Sequence, residues 1–442
     1  VARPGGLKAA EVAARAVETS LSLRQRTEDV NAASAQLGQA TVAWFPRVVG
    51  TVRYARLSPI EDQTLGNVVV APMAPLGPLG PGAVLVNAPV TIPSLQNQWA
   101  FQATLLLPVS EYLLRTPLAW GAAEDAKEAA ALQRSATRLS VALDARLTYF
   151  NWARSHLQTV VAEQALIQAK AHRSSVGSLF DAGGASKADV LRVDAQVASA
   201  EVLLARAQAQ ETVLLEQVRT VMHDGGEAEL EIGEDLTQPL APSRPAGLKA
   251  LLERATSRRL ELKALEKTFA ALGGQAKAAR AGYLPRIDAV ANATYANPNP
   301  RYFPPKDVAQ GTWDVGVLLS YSPNEVALAS QVTDGAVAKQ RQSEVARDQF
   351  LDALRVEVAQ AAVATTEADV SVDATRRGLA AAEESYRVRK ELFVNERSTS
   401  TELTDAETNL TQARLNAVGA RIDQRVARAR LEHATGEDVE AP

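Results

Sequence analysis

The chain is written twice, and that duplication restricts its fold more than any other feature. Gly6-Leu7-Lys8-Ala9 recurs as Gly247-Leu248-Lys249-Ala250, and Trp44-Phe45-Pro46-Arg47 recurs as Tyr283-Leu284-Pro285-Arg286, an offset of 285 − 46 = 239. Farther on, Phe180 and Asp189-Val190 recur as Phe393 and Glu402-Leu403, an offset of 402 − 189 = 213. The first half therefore holds 239 − 213 = 26 extra residues between Pro46 and Phe180. They are expected between Ser58 and Gln96, where Pro72, Pro75, Pro78, Pro81, Pro89 and Pro93 stand close together and no charge follows Asp62 until Glu111. Proline at that density opposes helix and interior strand, so a loop is expected there. Its counterpart in the second half is the shorter Asn297–Gly311 stretch.

Each half reads as helix, strand, Pro-rich loop, strand, long helix, short turn, long helix. The first repeat is expected over 1–222, with strands near 47–57 and 97–108 and long helices near 112–172 and 187–222. The second is expected over 247–442, with strands near 286–296 and 312–321 and long helices near 324–392 and 400–436. The acidic, then Pro-rich segment 223–246 reads as a linker with at most short structure.

The last helix of each half carries a heptad seam. Val190, Val193, Val197, Ala200, Leu204, Ala207, Glu211, Leu214, Val218 and Val221 alternate in steps of three and four, as do Leu403, Ala406, Leu410, Ala413, Ala417, Ala420, Gln424, Ala427, Leu431 and Ala434. Such spacing keeps one stripe facing a partner helix. The polar breaks, Glu211 and Gln424, fall at equivalent places. Two long helices joined by a short turn predict an antiparallel helical hairpin in each half. The composition agrees: 46% of residues are hydrophobic but only 5% aromatic, so small aliphatic residues carry the apolar content.

Four segments switch to a period of two. Val48, Gly50, Val52 and Tyr54 form one face of the first; Trp99, Phe101, Ala103, Leu105 and Leu107 of the second. Ile287, Ala289, Ala291, Ala293 and Tyr295 do so in the third, and Trp313, Val315, Val317, Leu319 and Tyr321 in the fourth. One face is apolar, with aromatics such as Tyr54, Trp99, Tyr295 and Trp313 near the ends. That is the pattern of membrane barrel strands. Four strands cannot close a barrel within one chain, but a homo-oligomer that pools them removes the exposed edges.

In this order, and duplicated, the segments resemble the TolC-type outer-membrane efflux proteins. The most specific pieces are Tyr283-Leu284-Pro285, Gly183 with Ala188-Asp189-Val190-Leu191, and Ser400-Thr401-Glu402-Leu403-Thr404-Asp405-Ala406. The resemblance implies a mainly α fold with a membrane β-barrel. A homotrimer would pool four strands per subunit into 12, and the helical hairpins would form an α-barrel in the periplasm. It implies an outer-membrane location with a long periplasmic extension, contact with outer-membrane lipid, and two protein partners: a periplasmic adaptor and an inner-membrane transporter. It also implies a periplasmic gate at Glu402, Asp405, Asp189 and Arg397, the last beside Ser398, where the family has Arg. The turns around Ser174–Lys187 and Phe393–Thr399, with Gly177, Gly183, Gly184 and Ser398, would contact the adaptor. The family's second-turn Gly aligns with Glu396, a departure.

The chemistry of other classes is missing from the sequence. There are no cysteines, and His156, His172, His223 and His433 share no metal-ligand spacing, so no metal or other cofactor is expected. A formal net charge of -4 gives no footprint for nucleic acid. No phosphate loop or nucleophile elbow occurs, and an enzyme is not expected. The competing architecture is a soluble periplasmic coiled-coil adaptor without a barrel.

Overall fold

The computed structural model describes residues 3, 5–70, 86–226, 230–237, 240–243 and 246–440. Pro72, Pro75, Pro78 and Pro81 of the Pro-rich stretch, and parts of the 223–246 segment, lie outside these. The chain divides into two compact units, each drawing on both repeats: Val1–Ser34, Asp125–Phe269 and Gln342–Pro442 form one, Ala35–Glu124 and Ala270–Arg341 the other.

The second unit is built on strands. β1 (Arg47–Arg56), β4 (Asn97–Leu107), β5 (Arg286–Asn297) and β6 (Gln310–Ser320) form one sheet in the order β1-β4-β5-β6, every neighbour antiparallel. Register puts Val52 opposite Phe101, Phe101 opposite Tyr295, Ala289 opposite Val317 and Ala293 opposite Trp313, so the apolar residues of all four strands share one face. The other face carries a polar ladder. Thr104 donates to Asn292 at 2.9 Å, Asn292 to Asp314 at 2.9 Å, and Asp314 pairs with Arg301 at 3.0 Å.

The Pro-rich insertion corrects the expectation of a bare loop. β2 (Gln63–Val70) and β3 (Val86–Ile92) pair as a separate two-stranded ribbon. Proline is excluded from interior strands because it lacks an N–H, but each strand of a two-stranded ribbon has a free edge. Pro89 sits opposite Asn67, beside the register shift between Thr64 and Asn67.

The helices are α1 (Ala9–Thr19), α2 (Leu21–Val42), α3 (Val109–Leu114), α4 (Thr116–Asp181), α5 (Lys187–Met222), α6 (Leu248–Arg258), α7 (Leu260–Arg280), α8 (Pro323–Val394) and α9 (Ser400–Thr435). Pro323 opens α8, where its missing N–H costs nothing. The opening helix of each half is broken once, at Ser20 and at Arg259. In the first unit the hairpins are antiparallel. Lys170 pairs with Glu201 and Arg173 with Asp194 along α4 and α5; Asp369 bonds Gln424 and Arg389 bonds Glu402 along α8 and α9.

The main core gathers Val12 and Ala16 of α1, Tyr149, Trp152 and Ala153 of α4, Val218 and Met222 of α5, and Ile422 of α9. Ile232 and Leu236 of the 223–246 segment belong to it too, so this part of the segment is packed. Ile232 forms a bridge with Leu7. The two backbones approach so closely that a Cβ on Gly233 would collide with the Gly6 carbonyl oxygen. The polar breaks in the seams have jobs. Glu211 meets His156 at 2.7 Å, and Gln424 holds both backbone groups of Leu240 while donating to Asp369 at 2.7 Å.

Candidate functional site

The two hairpin turns share one construction. In the first, the Gly184 N–H reaches Leu179 O at 2.7 Å and the Gly183 N–H reaches Phe180 O at 2.9 Å. In the second, Arg397 reaches Leu392 O at 2.8 Å and Glu396 reaches Phe393 O at 3.0 Å. Both are Schellman stops, which need a left-handed residue at the bend. Gly183 supplies it at φ 82 and Glu396 at φ 54. The departure from Gly seen in the sequence thus leaves the turn intact and places a side chain where glycine is favoured. Gly177 is not a turn residue: α4 runs on to Asp181, beyond the His172 limit read from the sequence.

Each following helix opens with a capping box. Ser186 and Asp189 cap α5; Thr399 and Glu402 cap α9. Each N3 carboxylate reaches back to the N-cap N–H and satisfies a donor the helix leaves unpaired. Asp189 accepts from the Ser186 hydroxyl at 2.6 Å and the Ser186 N–H at 3.1 Å, with Arg192 at 3.6 Å. Glu402 accepts from Ser398 Oγ at 2.5 Å and the Thr399 N–H at 3.1 Å, and pairs with Arg389 at 3.1 Å. The serine hydroxyls, then the backbone donors, hold both carboxyls below their ordinary range. Asp405, one turn along α9, is exposed and has no side-chain partner among the described residues. Arg397 is likewise exposed without one. Of the sequence-derived acids, then, two are committed to capping and one is free.

The structure adds residues the sequence did not suggest. Arg389 supplies the cation for Glu402. Arg192 bonds Thr401, so α5 is tied to α9. Beneath the turns, His172 of α4 is buried with Glu407 of α9 at 3.1 Å and Ser400 at 3.3 Å, and its ring packs edge-on to Phe393 at 5.3 Å. Val176, Val190, Val193, Phe393 and Leu403 form one apolar cluster, which unites the two hairpin ends. Only the repeat offset of 213, which pairs Ser186 with Thr399, could have revealed the matched caps in advance.

The sheet is the second feature with functional geometry. Val52, Trp313, Val315 and Val317 are each about 70% exposed, Phe101 and Tyr295 are exposed too, and Leu105, Ala289 and Ala291 on the same face are half-buried. Trp99 lies 5.5 Å from Phe101 and 5.6 Å from Tyr295, and Tyr54 faces Trp99 across the β1–β4 pair. These aromatics gather toward the loop ends of the strands. Among the described residues no helix is long and apolar enough to cross a membrane, and no group of three or more His, Asp or Glu is placed to hold a metal.

The antiparallel sheet is open at β1 and β6, and it stands on a chain of duplicated helical hairpins. Residues 251–437 match the model of the outer membrane efflux protein family. The fold of the whole chain is that of outer-membrane channels. It is similar to CusC at TM-score 0.76 and 17% identity, covering 97% of this chain and 92% of that one. It is similar to the open-state MtrE outer membrane channel of Neisseria gonorrhoeae at TM-score 0.76 and 18% identity, covering 97% and 88%. It is similar to the outer membrane protein VceC of Vibrio cholerae at TM-score 0.73 and 14% identity, covering 97% and 96%. No curated protein matches the chain by sequence.

Proposed function

We propose that this protein is the outer-membrane exit duct of a tripartite efflux or secretion system. Three copies pool their sheets into a 12-stranded barrel, and the helical hairpins line a periplasmic conduit. The observation that carries this reading is the sheet itself: four strands in strict antiparallel order, open at β1 and β6, with one face apolar and exposed. With an even number of strands, β6 of one copy runs antiparallel to β1 of the next, so the ring closes without an edge. The apolar face then meets lipid, and the Thr104–Asn292–Asp314–Arg301 ladder faces water inside. The duct is passive; an inner-membrane transporter supplies energy, and a periplasmic adaptor engages the hairpin turns near Gly183, Gly184 and Ser398.

The gate follows from the division of labour at the turns. Asp405, exposed and without a side-chain partner among the described residues, is the acid that rings the conduit in three copies and attracts cations. Glu402 and Asp189 hold the helix starts in place, and Arg389 fastens Glu402. Arg397 is free to reach a neighbouring copy.

The test is the mass of the detergent-solubilised protein together with planar-bilayer recording. A trimer that conducts is expected. A monomer that stays soluble without detergent would instead fit the coiled-coil adaptor.

A further inference from the structure

The duplication makes an unseen joint readable. Within the chain the repeats meet where β4 pairs with β5. In a ring of copies they meet again where β6 pairs with β1 of the next copy. We infer that this second joint repeats the first residue for residue, and that it is locked by an ion pair between Glu325 and Arg47 of the neighbouring copy. The inference rests on the trimeric-barrel reading and adds its register.

The observed pairings supply the correspondence. Arg47 faces Leu106 in the first hairpin, and Arg286 faces Ser320 in the second. Arg286 is Arg47 moved by 286 − 47 = 239, so Ser320 is Leu106 moved by 320 − 106 = 214. Applied to the β4–β5 joint, these offsets fix the β6–β1 joint. Leu105 opposite Ala291 becomes Leu319 opposite Val52 of the next copy, and Ala103 opposite Ala293 becomes Val317 opposite Tyr54. Three residues of the apolar face of β6, Tyr321, Leu319 and Val317, then meet Gly50, Val52 and Tyr54 of the apolar face of β1, and Val315 meets Arg56 at the end of that strand. A slip of one residue would set apolar against polar side chains, so the competing registers differ by two.

The same offsets carry over the lock. At the inner joint Arg286 reaches Glu111 at 3.6 Å, and the Ile287 N–H donates to Ser110 Oγ at 3.0 Å. Moved by 214, Glu111 becomes Glu325 and Ser110 becomes Asn324; moved back by 239, Arg286 becomes Arg47 and Ile287 becomes Val48. The charges are complementary, and the side-chain amide of Asn324 offers the oxygen that Ser110 offers at the inner joint. Arg47, Asn324 and Glu325 are all exposed and have no side-chain partner among the described residues. Their counterparts Arg286, Ser110 and Glu111 are all engaged. The free members of the repeat are those whose partners stand on another copy.

The chain has no cysteine, so introduced pairs report alone. Leu319→Cys/Val52→Cys is oxidised in the full-length, detergent-solubilised protein, beside the shifted pairs Leu319→Cys/Gly50→Cys and Leu319→Cys/Tyr54→Cys. Disulfide-linked trimers are expected from the first, at about ten times the yield of either shifted pair, because diagonal neighbours stand too far apart to bridge well. Cross-linking that favours a shifted pair, or a trimer by mass that none of the three pairs links, overturns the register while the trimer stands. A protein that is monomeric by mass overturns the duct reading, and the inference with it. As a second arm, Glu325→Arg should lower the midpoint of heat-induced trimer dissociation, and Arg47→Glu in the same chain should restore it. Failure of that rescue in a folded trimer removes the ion pair from the joint.

Discussion

The Arg389 guanidinium lies 3.1 Å from the Glu402 carboxylate, spanning the second hairpin turn from α8 to the start of α9. With the capping bonds from Ser398 and Thr399, that contact makes Glu402 a structural acid and leaves Asp405 as the uncommitted one. Asp405→Ala is therefore expected to reduce cation preference, read as a reversal potential shifted toward zero under a salt gradient, with hydrogen exchange at the turn unchanged. Glu402→Ala should do the opposite: faster exchange over 399–403 and a smaller change in selectivity. Equal effects on selectivity would put both acids on the conduit.

The depressed carboxyls give the turns a pH dependence of definite sign. Asp189 and Glu402 bind their protons less readily in the folded turn than in the unfolded chain, because their serine and backbone donors favour the charged form. Their contribution is therefore complete above the ordinary carboxyl range, near 3.8 for Asp and 4.5 for Glu, and fades as pH falls below it. Exchange protection at both helix starts should hold down to about pH 5 and decline at lower pH. Asp189→Asn and Glu402→Gln should flatten that decline, each in its own turn.

Glu396 holds a backbone conformation that glycine adopts at little cost. Glu396→Gly should stabilise the second turn by roughly 1 kcal/mol, since a side chain in the left-handed region carries that order of penalty. Gly183→Ala should destabilise the first turn by about the same amount. Nothing stands within 4 Å of a Cβ built on Gly183, so the loss there would be conformational and not steric. Local opening energies from hydrogen exchange measure both.

Periodicity made much of this fold legible. The seam residues Val193, Val218, Leu403 and Leu410 are buried, and the apolar faces of the four strands align, because both patterns are one-dimensional records of a repeating geometry. What stayed hidden depends on neighbours far apart in the chain. His172 and Glu407 are separated by 235 residues, with nothing local to link them. Arg389 is one of many charged residues on α8, and only the turn brings it to Glu402. The β2–β3 ribbon was masked by its prolines, which a strand with a free edge tolerates. The turn at Gly177 was misread because a glycine inside a long helix looks the same in sequence as one at its end.

The His172–Glu407–Ser400 group is the buried polar joint between the two hairpins. Both ring nitrogens have a partner: Nδ1 lies 3.1 Å from Glu407 and Nε2 lies 3.3 Å from the Ser400 hydroxyl. Removing one partner strands the other in a site where the His172 side chain is 1% exposed and that of Glu407 6%. Glu407→Ala is expected to cost about 3 kcal/mol, and Glu407→Gln, which keeps a hydrogen-bonding group facing Nδ1, clearly less. His172→Leu leaves the buried Glu407 side chain without its partner and should cost as much as Glu407→Ala. The double variant His172→Leu/Glu407→Leu replaces the pair with apolar groups and should be milder than the sum of the single changes, the signature of direct coupling. Thermal unfolding of the detergent-solubilised protein reads all four variants. Additive losses would mean that the imidazole and the carboxylate stabilise the hairpins independently.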